Sequence, residues 1–244
     1  ESNRRFLTFW KTELPLVIFK HQRALLISFL VFFISCLIGW VSAMHDDTFV
    51  RLILGDSYVN MTLENIENND PMAVYKKMKE VDMFLGITIN NVRVAFVAFV
   101  LGLFFSVGTG LLLFYNGIML GSFQYFFLAK GLFWESFLTI WIHGTLEISA
   151  IVIAGAAGFV LGNSILFPKT LPRGTSFIIG AKNALKIIIG LVPIFVVAGF
   201  LEGFVTRHTE MPVFLSLFII FGSLFFILWY FKFYPKKTYQ KFNS

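Results

Sequence analysis

Cysteine is almost missing from this chain: Cys36 is the only one in 244 residues. A single thiol inside an apolar run excludes an intramolecular disulfide framework and a cysteine-based metal cluster. Charge is also scarce, at 14% of residues, against roughly 25% in soluble domains. No glycine-rich phosphate loop is present, and neither H-E-x-x-H nor G-x-S-x-G occurs. Ser122 and Ser149 lie near polar residues but lack any context that would activate a hydroxyl. The sequence therefore assigns no catalytic residue, no cofactor and no metal ligand, and the expectation is a non-enzymatic protein.

What the chain does have is hydrophobicity. Apolar residues make up 57% of it, including 32 phenylalanines, and its mean hydropathy is +0.77. Several apolar runs approach or exceed the roughly 20 residues that cross a bilayer as a helix. The fold class is all-α, a polytopic transmembrane bundle whose first partner is the lipid bilayer. The net charge of +6 does not indicate nucleic acid, because the basic residues flank the apolar runs as topology signals do. The first run is too long for a signal-peptide core.

Residues 1–24 mix Arg4, Arg5, Lys11, Lys20 and Arg23 with Phe6, Phe9 and Trp10. That pattern predicts an amphipathic interfacial helix, and residues 25–244 are expected to form one transmembrane domain. Spans are predicted near 25–44, 92–114, 134–163, 184–205 and 211–231. A short run at 116–129 supplies a sixth, distorted near Asn116-Gly117. The segment 45–82 carries eight acids against four bases and turns near "NNDP"; it reads as a polar outer loop and as a surface for membrane or envelope protein partners. With six spans, both termini and the 164–183 loop fall on the cytoplasmic side, and the basic clusters Lys169/Arg173/Lys182/Lys186 and Lys232/Lys236/Lys237/Lys241 fall there with them. The expected location is the bacterial cytoplasmic membrane.

Helices in lipid associate through close approach at small residues. Gly102, Ser106 and Gly110 form one such stripe. Ala150, Ala154, Gly158 and Gly162 form another, and Gly117 and Gly121 a third. His143 and Glu147 lie one turn apart, in "HGTLEISA", and their register continues the second stripe. Ionisable groups at such positions turn inward and find partners. Asn91, Arg93, Asn116 and Glu202 are candidates for one cluster with them. The pair can act as a polar lock between helices, as a proton or ion relay, or as part of a metal site completed by Glu202 or Asn116. The lock demands least and is the preferred reading.

The segments "NNVRVAFVAFVLGLFFSVGTGLLLFYNGIMLGSF", "HGTLEISAIVIAGAAGFVLG" and "EGFVTRH" together resemble the stage II sporulation protein M family of bacterial and archaeal membrane proteins. The resemblance covers roughly residues 90–207. It implies that Asn116, Gly117, His143, Gly144, Glu147 and Glu202 hold characteristic positions of the family. It also implies a membrane scaffold working with envelope partners, and surplus stripe surface suggests a homo-oligomer. The alternative is a transporter or channel with a polar path through Arg93, His143, Glu147 and Glu202. An intramembrane hydrolase lacks a nucleophile and base.

The orientation has a direct test. In a background with Cys36 replaced by Ala, a cysteine placed in the 164–183 loop is expected to resist an impermeant thiol reagent added outside intact cells. Labelling there would overturn the six-span arrangement.

Overall fold

In hydrocarbon every backbone N–H and C=O needs an internal partner, so an apolar chain of this kind resolves into helices. A computed structural model describes residues 2–243 and shows eleven α-helices, with no strand among the described residues. The N-terminal arm consists of α1 (Ser2–Thr8), a π turn (Phe9–Glu13) and α2 (Leu14–Lys20). The spans begin with α3 (Gln22–His45). The polar segment holds α4 (Asp47–Leu54), α5 (Asp56–Glu67) and a 3-10 turn (Ala73–Lys76). Then come α6 (Glu80–Val100), which runs into a 3-10 turn (Leu101–Leu103), and α7 (Val107–Ala129). After α8 (Phe133–Leu166), α9 (Arg173–Phe200) ends in a π turn (Leu201–Val205). Finally α10 (Val213–Leu228) leads through a π turn (Trp229–Phe233) into α11 (Tyr234–Asn243).

Six of these helical units are long and apolar enough to cross a membrane. The second and third differ from the sequence reading. The run at 92–114 is not one span, because the chain reverses at Phe104–Ser106. Phe105 (φ 55°) and Ser106 (φ 68°) adopt the left-handed conformation there. A reversal made of Leu, Phe and Ser has no polar punctuation, and hydropathy passes straight through it. Conversely, α7 continues unbroken past Asn116-Gly117. The Asn116 amide donates to the carbonyl of Leu112 one turn earlier (2.8 Å), so it supports its own helix instead of interrupting it.

The helix α8 is the hub. Its twelve residues from Ile151 to Gly162 are all buried, as suits a helix that is apolar on every side. At 34 residues it is about 50 Å long, well beyond the roughly 30 Å hydrocarbon layer. Close approaches fix its neighbours. A Cβ on Gly102 would collide with the backbone of Gly158, one on Gly158 with Thr109 and Ala98, and one on Gly162 with Ser106. The α3–α7 pair is equally tight, with Gly39 against Ile118, Gly117 against Phe32 and Ser35, and Gly121 against Cys36 and Trp40. Ala150 and Ala154 are fully buried. Gly102, Ser106 and Gly110 do not share one helix face, because the reversal lies between them. Gly102 and Ser106 meet α8, whereas the nearest neighbour of Gly110 is the Phe159 ring, at ordinary contact distance.

The N-terminal arm is docked onto the bundle. Leu14 and Ile18 are completely buried, with Leu14 against Gly190 of α9. Tyr230 and Tyr234 hydroxyls donate to the carbonyls of Trp10 (2.7 Å) and Lys11 (3.0 Å), and Lys186 pairs with Glu13 (2.7 Å). The side chain of Arg4, part of the basic set, lies outside the described residues.

The polar segment folds back as a cap. Asp46 starts α4 by accepting from the Thr48 backbone N–H (2.8 Å) and hydroxyl (2.6 Å), and these bonds hold its carboxyl below the usual range. Gly55 (φ 85°) and Asn69 (φ 56°) supply its left-handed turns, the second within "NNDP". Val50, Val59, Met72 and Tyr75 then pack with Phe126, Phe127 and Ile140 in a second core.

The α3–α7 contact leaves no room for side chains. Gly121→Val is expected to lower stability by about 1–3 kcal/mol through overpacking, read as an earlier thermal transition in detergent. Gly222→Val, where nothing lies within 4 Å, is expected to leave that transition unchanged.

Candidate functional site

The polar residues singled out by the sequence fall into two groups on opposite faces of α6. On its inner face lies Asn91, only 3% exposed. From α8 come His143, 5% exposed, and the largely buried Glu147 one turn later. Glu202 arrives from the π turn that closes α9. This wider turn re-aims the side chain toward α8, and such single turns are frequent at functional sites. Gly203 beside it allows the turn to press onto α6, since an added Cβ would lie 2.9 Å from the carbonyl of Glu80.

One nitrogen or oxygen from each of His143, Glu147 and Glu202 lies within 4.8 Å of the other two. His143 Nε2 is 3.7 Å from Glu202 Oε2. The other ring nitrogen, Nδ1, is 3.0 Å from the Thr206 hydroxyl, which itself donates to the carbonyl of Leu201 (3.1 Å). A hydroxyl has one proton to give. With that proton committed to Leu201, Thr206 accepts from Nδ1–H, and Nε2 is the atom left facing the carboxylate.

Asn91 stands close enough to the Glu147 carboxylate to interact with it, but its amide nitrogen completes no hydrogen bond. Tyr75, from the cap, closes the group on the side of the polar segment. Its ring meets the His143 ring edge-on at 5.7 Å. Burial, with the Glu202 and Glu147 carboxylates nearby, holds the Tyr75 phenol well above its ordinary value. Arg207 ties the same corner together by pairing with Glu80 and donating to the carbonyl of Met78 (2.9 Å).

The second group faces outward. Arg93 and Asn90 of α6 are exposed. With Tyr115 and Asn116 of α7 they line a groove of about 360 Å³ between the two helices, together with Val94, Val97 and Leu112. Arg93 and Asn116 therefore do not join His143, Glu147 and Glu202. Gly117 belongs to the α3 contact, and a Cβ added at Gly144 would meet only Ile140 and Ile148 of its own helix, at ordinary contact distance.

Two members of the inner group escaped the sequence reading. Thr206 lies one turn beyond Glu202 in "EGFVTRH", and that spacing could have flagged it. Tyr75 sits in the polar segment with no local signal at all.

Thr206→Val removes the acceptor of the buried His143 N–H. Leaving such a donor unpaired costs about 1–3 kcal/mol, and an earlier thermal transition than in Thr206→Ser is the expected result.

A family model described as stage II sporulation protein M matches residues 28–207. Uncharacterized protein MJ0706 of Methanocaldococcus jannaschii is similar, with 25% identity over 193 residues, or 77% of this chain and 83% of that protein. No solved structure matches. The matched region contains both polar groups and the cap, and it ends beside Thr206, so α1, α2, α10 and α11 fall outside it. The chain belongs to the stage II sporulation protein M family and is a multi-pass integral membrane protein.

Proposed function

We propose that this protein is a non-enzymatic scaffold that holds an envelope-associated complex in the membrane and does so as an oligomer. The observation that carries this reading is the outward Arg93. It lies thirteen residues after Glu80 and ten before Leu103, the ends of a helical unit long and apolar enough to cross a membrane, and so near the middle of that unit. A guanidinium exposed to lipid at that depth is expensive. The groove around it offers the amides of Asn90 and Asn116 and the Tyr115 hydroxyl, which suits a polar protein contact better than acyl chains. The cap supplies a second surface on the polar side, where Leu52 is 79% exposed.

The same geometry argues against a polar path through Arg93, His143, Glu147 and Glu202. Arg93 opens to the outside of the bundle, whereas the other three meet in its interior under Tyr75. An intramembrane hydrolase has no support either: Ser122 is buried and donates to the carbonyl of Gly39 (3.3 Å).

The test uses a photocrosslinking residue at Val97, in native membranes. A discrete protein adduct is expected, whether of doubled mass from a second copy or of a different partner. Arg93→Leu is expected to reduce its yield about tenfold, which corresponds to roughly 1.4 kcal/mol of contact energy. Adducts with lipid alone, or an undiminished protein adduct in Arg93→Leu, would count against the scaffold.

A further inference from the structure

The inner group has an unresolved charge problem. Two carboxylates and an imidazole converge within 4.8 Å in a site that Tyr75 and the bundle close off. Two negative charges this close in low-dielectric surroundings must be relieved, either by a proton held on one of them or by a cation among them. The guanidinium of Arg207, beside Thr206, is engaged by Glu80 and Met78, and Arg93 is exposed on the outer face of α6. Neither arginine therefore supplies a cation to the group.

The orientation of His143 sharpens the point. With Nδ1–H given to Thr206, whose own proton goes to Leu201, the neutral ring directs its Nε2 lone pair toward the Glu202 carboxylate, 3.7 Å away. A lone pair facing a carboxylate is repulsive unless a proton or a metal ion sits between them. Metal-binding histidines are oriented in this way, with the distal N–H held by a hydrogen-bond acceptor in the surrounding shell.

Asn91 is an independent indication. It is 97% buried, from its 3% exposure, it stands against Glu147, and its amide nitrogen has no hydrogen-bond partner. Amide nitrogen and oxygen are assigned from the hydrogen-bond network, and here the nitrogen stands toward the Glu147 carboxylate without completing a hydrogen bond to it. Turned over, the amide presents its carbonyl oxygen to the carboxylates, an arrangement that is favourable only around a cation.

We propose that His143, Glu147 and Glu202 bind one divalent transition-metal ion, with the Asn91 carbonyl oxygen as fourth ligand. Two carboxylate charges neutralise a divalent ion, and one imidazole among oxygens selects a borderline ion such as zinc over calcium or magnesium. Tetrahedral zinc with bonds of about 2.0–2.1 Å brings its ligand atoms to about 3.3 Å from one another. Four protein ligands make a closed, structural site. The ion clamps α6, α8 and the end of α9 together beneath the cap. This assignment does not rest on the scaffolding reading.

The experiment uses the full chain in detergent, stripped with chelator, reloaded with zinc chloride, desalted and assayed for metal by mass spectrometry. One zinc per chain is expected, with a higher thermal transition than in the stripped protein. The variant carrying His143→Asn and Glu202→Gln keeps polar groups of similar size and is expected to bind none. Cobalt(II) in place of zinc is expected to give the intense visible absorption of a tetrahedral site in the wild-type chain. Folded, monodisperse wild-type protein that retains no zinc overturns the proposal, as does equal zinc in the double variant. Should that variant fail to insert, Asn91→Leu decides: a cobalt spectrum identical to wild type removes Asn91 from the site and the proposal with it.

Discussion

Everything in this fold hangs on how closely α8 can be approached. Lipid offers no hydrophobic gain for bringing helices together, so packing contacts and interhelical polar contacts must hold them. Gly158 and Gly162 let the α6–α7 reversal come to backbone distance, and Gly155 admits Leu113 and the Ser28 hydroxyl. Ser28 then donates to the carbonyl of Val152 (2.5 Å), and Thr109 to that of Ala98 (2.7 Å). These short interhelical bonds exist only because the backbones are already in contact. The inner polar group depends on the same geometry, since a wider spacing would part His143 from Glu202.

Polarity within the bundle is sorted by face. Along α6 the buried set Asn91, Ala95 and Ala98 looks toward α8, while Asn90 and Arg93 look away. One helix thereby contributes both to an enclosed polar group and to an outward polar groove. Adjacent residues in "NNVR" serve the two faces, and so the segment reads as a single polar cluster in sequence and as two in space. The family match includes both faces and the cap, while the arm and the last span lie beyond it.

The sequence made several features legible for clear reasons. Composition and run length demanded a helical membrane protein. The register of His143 and Glu147 with Ala150 and Ala154 placed them on an inward face, because helical periodicity carries over a long uninterrupted helix. Other features had no local signal. The reversal at Phe104–Ser106 is as apolar as the helices it joins. The arrival of Glu202 opposite His143 depends on a π turn that propensity does not announce. Tyr75 reaches the site through the tertiary fold of the cap, and the docking of the N-terminal arm through Leu14 and Ile18 is likewise a matter of what α9 and α11 present to it.

The apolar turn between α6 and α7 bears on how the chain enters the bilayer. Positively charged loops ordinarily tell the insertion machinery which side each connection belongs on, and Phe104, Phe105 and Ser106 carry no such label. Such labels stand elsewhere in the chain, as at Lys169 and Arg173 around the α8–α9 connection.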